Sequence, residues 1–162
     1  METAGGIARA MPLLCPVQDE EVRDPAFWVL AGDVFYAPEV AAATLPALEA
    51  LRVRGAEVLV GDPMYATYEG LIRATGAAVV PVPLRAEAGF RMQAADVEAR
   101  ITPRSRVLML NSPHNPTGAV LTRADLVALC AMAAKHDLWV LCDEVYEEMC
   151  FAGVDFASPL DL

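Results

Sequence analysis

The chain has 162 residues, 56% of them hydrophobic and 21% charged. That is enough apolar material for one domain with a sizeable core and too much for wholesale disorder. A formal net charge of -10, with no basic stripe to offset it, excludes a surface that tracks nucleic-acid phosphates and leaves a solvated acidic exterior.

Residues 1–35 carry mixed polarity without a sustained period and read as a separate, poorly matched N-terminal segment. Residues 7–15 are mildly apolar, but Arg9 and Pro12 interrupt them and Glu2 stands where an export signal carries basic residues. No run approaches the length of a membrane span. The expectation is a cytoplasmic chain with neither a membrane nor a nucleic-acid partner. Cys15, Cys130, Cys142 and Cys150 show no C-x-x-C spacing, and His114 and His136 fall in no ligand pattern, so no metal site is expected. Cys130 and Cys142 sit in apolar runs, where a thiol packs as a small hydrophobe. Reduced thiols suit a cytoplasmic protein.

From residue 40 onward the pattern clears. Residues 41–54 read as a helix with Pro46 in its first turn or at a kink. Residues 57–61 (EVLVG) form a short apolar strand, 65–75 a helix stopped by Gly76, 77–82 a second strand and 94–101 a short helix. Residues 106–110 (RVLML) are continuously apolar, as a strand buried on both faces requires. After the loop 111–118, Thr122 and Asp125 make a capping-box start. Leu126, Leu129, Cys130 and Ala133 then fall at i, i+3, i+4 and i+7 on one helical stripe. Residues 138–142 (LWVLC) are the next strand. Met64, Met92, Met109, Met132 and Met149 read as core or gap-filling side chains.

Strands and helices alternating at these spacings predict an α/β fold, a mostly parallel sheet with crossover helices. Ligands of such sheets bind where loops leave the carboxyl ends of the strands. That rule singles out Asp62-Pro63-Met64-Tyr65, the run Asn111-Ser112-Pro113-His114-Asn115-Pro116-Thr117-Gly118, and Asp143-Glu144-Val145-Tyr146. Taken singly, Asp143 would serve as a helix cap, the Asn115 segment as a turn, and each tyrosine as packing. In this order and at successive strand ends, the three segments resemble the fold-type-I pyridoxal-phosphate aminotransferases of class I and II. Residues 36–162 then correspond to part of the family's large domain. Within the family, residues 61–82 and 134–146 most resemble arginine–pyruvate transaminases.

The resemblance implies pyridoxal 5'-phosphate as cofactor, an amino acid and a 2-oxo acid as substrates, and the homodimer usual in the family. It places Asp143 beside the ring nitrogen, where a carboxylate keeps the ring protonated and therefore an electron sink. It also places Asn115 and Tyr146 at the phenolic oxygen and Tyr65 on the ring face. His114 takes no role from the resemblance and reads as a loop residue.

The same resemblance marks what these residues do not supply. The family's Schiff-base lysine follows the D-E-x-Y segment in a Ser-Lys motif, and nothing in residues 147–162 resembles it. The substrate-binding arginine also lies later in the family. Lys135, the one lysine here, reads as a cation at a helix C-terminus. Val29-Leu30-Ala31-Gly32 looks like the strand entering the phosphate turn, yet Asp33 then puts a carboxylate where an anion should bind. No catalytic residue is therefore assigned. The expectation is a fragment, a shortened gene product or a deliberately cut chain, inactive alone. Two further readings stand beside it: a non-catalytic folded remnant or interaction fragment, and part of a same-fold carbon–sulfur lyase or decarboxylase. A nucleotide-binding reading fails for want of G-x-G-x-x-G after the first strand.

Overall fold

The computed structural model describes residues 53–162 and, as backbone, 27–30. Five strands form one parallel sheet: β1 (Phe27–Leu30), β2 (Glu57–Asp62), β3 (Ala78–Pro83), β4 (Ser105–Asn111) and β5 (Trp139–Asp143), in the spatial order β1-β5-β4-β2-β3. Helices α1 (Ala66–Ala74), α2 (Ala94–Glu98) and α3 (Arg123–Lys135) make the crossovers. The α/β class and the parallel sheet expected from the sequence are both present. β1 lies inside the segment 1–35, and pairs with β5 so that Leu30 is level with Asp143. The expected helix over 41–54 and the phosphate-turn residues 31–36 lie outside the described residues, apart from the turn at Val53 and Arg54.

The two faces of the sheet bury separate clusters. On one, Leu59, Leu108, Leu110 and Val140 pack with Leu126, Leu129 and Ala133 of α3. On the other, Val58, Val60, Val107 and Met109 pack with Tyr68 and Ile72 of α1. This explains why β4 lacks alternation: consecutive side chains enter opposite but equally apolar layers. Pro81 and Pro83 are tolerated because β3 is an edge strand, where a missing N–H breaks no ladder.

α3 starts as its sequence dictates. Thr122 accepts from the Asp125 backbone N–H while the Asp125 carboxylate accepts from the Thr122 N–H, closing the capping box. α2 is shorter than expected, ending at Glu98, because the chain turns there to enter β4. Met149 corrects the reading of the methionines. Met92, Met109 and Met132 are buried, but Met149 is 70% exposed in a short 3-10 turn beyond the sheet, where no neighbouring element covers it.

Candidate active site

Because β2, β4 and β5 are parallel neighbours, their carboxyl ends emerge side by side. Asn111 is level with Asp143, and β2 ends at Asp62 beside β4. The loops that follow carry all four site residues read from the sequence. Tyr65 directly precedes α1, Asn115 lies in the loop after β4, Asp143 ends β5, and Tyr146 follows it.

The four fall into two groups, joined by hydrogen bonds and, at Tyr65, by a ring contact. Asn115 Nδ2 donates to the Tyr146 hydroxyl at 3.3 Å. On the other side, the Tyr68 phenol donates to Asp143 Oδ2, and the Val145 backbone N–H donates to Asp143 Oδ1 at 3.1 Å. Tyr65 meets Tyr68 edge to face, with ring centroids 5.4 Å apart and planes at 85°.

Asn111 joins the groups. Its Nδ2 donates to the Asp143 carbonyl at 3.0 Å, and its Oδ1 accepts from the Asn115 backbone N–H at 2.8 Å. The Ser112 N–H donates to the same carbonyl at 3.0 Å. The side-chain amide thus continues the β4–β5 ladder one step past the last strand pair and ties the Asn115 loop to the Asp143 strand. Sequence reasoning gave Tyr68 and Asn111 no role. Tyr68 lay within the helix beginning at residue 65, and its contact with Asp143 spans 75 positions that no local pattern reveals.

The electrostatics follow from burial. Tyr68 is 6% exposed, and its phenol is driven well above its usual pKa, first by burial and then by the carboxylate it faces; it stays neutral and donates. His114 is held below its usual pKa by burial. Its Nδ1 lies 2.7 Å from the Thr117 hydroxyl and 3.4 Å from the Thr117 N–H, so it braces the loop. An adjacent hollow lined by Gly61, Met64, Tyr68, Phe90, Asn111 and His114, among others, is largely apolar and touches none of the four predicted residues. They occupy an open rim instead, with Tyr65 40% exposed.

Lys135 is elsewhere. α3 runs back from the Asn115 loop to the start of β5, so its last residue lies at the amino-terminal end of the strands, opposite the site. There Lys135 Nζ pairs with Glu98 of α2 at 2.6 Å, and His136 approaches the same carboxylate at 3.1 Å.

This donor set fits a pyridine ring. From the described residues each Asp143 oxygen accepts one hydrogen bond, leaving lone pairs for a ring N–H. The Asn115 amide and the Tyr146 hydroxyl suit a phenolic oxygen, and Tyr65 has an accessible face. Among the described residues, the arrangement offers no amine.

The chain is similar to known proteins over most of its length. Residues 32–162 match the family model for aminotransferase class I and II. The chain is 56% identical over 108 residues to the arginine–pyruvate transaminase of Pseudomonas aeruginosa, covering 67% of this chain and 27% of that protein. It is 34% identical over 155 residues to an aspartate aminotransferase of Streptomyces avermitilis, covering 96% of this chain and 37% of that one. Among solved structures, an aromatic aminotransferase from Pyrococcus horikoshii aligns with a TM-score of 0.67 at 36% identity, over 71% of this chain and 32% of its own. The aspartate aminotransferase of Thermus thermophilus aligns at 0.62 and 38%, over 68% and 30%. The chain thus spans between about a quarter and two fifths of the length of these relatives. Sequence, sheet topology and the polar residues at the strand ends lead to one assignment: the chain belongs to the class I and II aminotransferases, a pyridoxal-phosphate-dependent family.

Proposed function

We propose that this chain supplies the ring-holding part of a pyridoxal-phosphate cradle and by itself catalyses no transamination. The carrying observation is the Asp143 carboxylate, tethered at the end of a buried parallel strand and flanked by Asn115, Tyr146 and Tyr65. In this reading Asp143 accepts a hydrogen bond from the protonated ring nitrogen. Asn115, whose amide now donates to the Tyr146 hydroxyl, and Tyr146 with its own O–H would donate to the phenolic oxygen, and the face of Tyr65 would cover the ring. When bound, the cofactor supplies an electron sink for charge that develops at the substrate's α-carbon. The chain's own part is to bind, to orient and to keep the ring proton in place.

The family reaction, transfer of an amino group between an amino acid and a 2-oxo acid, is the ancestral activity we assign. Likeness to the Pseudomonas arginine–pyruvate transaminase favours a guanidino amino acid as the ancestral donor. A functional assembly of residues 36–162 as part of a large domain would be dimeric, as in the family, and cytoplasmic. Buried reduced thiols at Cys130 and Cys142 accord with that compartment. Among the described residues no helix is long and apolar enough to cross a membrane.

The test is equilibrium dialysis of the whole chain against pyridoxal phosphate, followed by borohydride reduction and peptide mapping. Saturable binding is expected, weakened roughly tenfold or more by Asp143→Asn, with no stoichiometric label on Lys135. Turnover of an amino-acid panel by the isolated chain, or binding indifferent to Asp143→Asn, would overturn the proposal.

A further inference from the structure

The Asp143 carboxylate is held from two sides. Oδ1 is tied to its own loop through the Val145 N–H, while Oδ2 is reached, among the described residues, by Tyr68 alone, a residue from a different strand–helix unit. Tyr68 cannot move freely to make this contact. It is 6% exposed and packed among Val58, Val60, Ile72, Val107 and Met109, so its hydroxyl is delivered from a fixed wall. We infer that Tyr68 is a positioning residue for cofactor binding, its phenol setting the plane of the Asp143 carboxylate so that a free lone pair points at the ring nitrogen. This rests on the cofactor reading above and adds to it a residue that the sequence alone had left in the packing.

The physical case turns on what Oδ2 would do without the phenol. Among the described residues it has no second donor, so losing the phenol loses the contact that fixes its orientation. The half-buried carboxylate would then be free to rotate toward solvent, and that rotation forfeits the hydrogen bond from a ring N–H. Replacing Tyr68 by Phe removes only the hydroxyl. The six-membered ring that packs in the core and meets Tyr65 edge to face stays in place. The substitution therefore separates the aiming of Asp143 from the support of Tyr65.

The experiment compares two probes on the whole chain: pyridoxal phosphate, and its analogue with carbon in place of the ring nitrogen. Tyr68→Phe is expected to weaken pyridoxal phosphate roughly tenfold and to leave the carbon analogue unchanged. In the Asp143→Asn background it should have no further effect on either. Tyr68→His, which keeps an N–H donor, should retain part of the preference for the nitrogen ring. A merely structural role would lower both probes alike, and that result overturns the inference while sparing the cofactor reading. Equal loss in Tyr68→His and Tyr68→Phe would overturn it as well. If the unaltered chain binds neither probe, the cofactor reading and the inference fall together.

Discussion

Glu144 and Glu57 are both buried carboxylates, and their environments push them in opposite directions. Glu144 is 3% exposed. Burial, with Glu147 and Asp161 nearby, raises its pKa to about 7 despite hydrogen bonds from Ser158 and Cys142, and its Oε1 has no hydrogen-bond partner. A folded pKa above the unfolded value of 4.5 means stability is fully present below that value and is lost as pH rises toward 7. Glu144→Gln should therefore stabilise the chain in mildly alkaline buffer by roughly 3 kcal/mol at most and flatten the fall in Tm between those pH values. An unchanged profile would contradict the assignment. At Glu57, burial raises the pKa, but hydrogen bonds from Thr102, Arg104 and Ser105 and the Arg104 charge outweigh it and leave the carboxyl below its usual range. Its contribution is present above the unfolded pKa and is lost as acid titrates the folded carboxylate. Glu57→Gln should lower Tm at neutral pH and reduce the loss on acidification, both readable in thermal melts across pH.

Among the elements, the β4 loop is tied to β5 through the Asn111 side chain. Asn111→Ala deletes the donor to the Asp143 carbonyl and the acceptor for the Asn115 N–H together, which should cost about 2 kcal/mol and weaken cofactor binding through a loosened Asn115. Asn111→Asp keeps the acceptor alone and should fall between the two, as denaturant melts would show. Thr122→Ala opens the capping box of α3 and should cost about 1 kcal/mol with no effect on the site. These elements also mark how far the sequence could be read. The apolar run of β4, the helical stripe of α3 and its Thr122–Asp125 start are local patterns, so their elements were legible. Tyr65, Asn115, Asp143 and Tyr146 were legible as site residues only because three motifs fall at successive strand ends. The roles of Tyr68 and Asn111 were not, since each depends on sheet order and on which wall of the fold a neighbouring helix occupies.

For the molecule as a whole, the sheet's central strand is covered on both faces: Val107, Leu108, Met109 and Leu110 are all buried between the two layers, as the unbroken apolar run of β4 requires. Among the described residues, the most exposed large apolar side chains lie after β5, where Met149 and Phe151 are 70% and 86% exposed and Val145 and Val154 are partly so. Such a patch favours association, and Phe151→Ser should lower the weight-average mass in sedimentation if it carries that association. The central claim concerns chemistry at the sheet's other polar feature, the rim around Asp143. It is tested most directly by the nitrogen NMR shift of ring-labelled pyridoxal phosphate bound to the chain, at a pH where the free cofactor has lost its ring proton. The account predicts the shift of a protonated pyridine in the unaltered chain and of an unprotonated one in Asp143→Asn. An unprotonated ring nitrogen on the unaltered chain would contradict it.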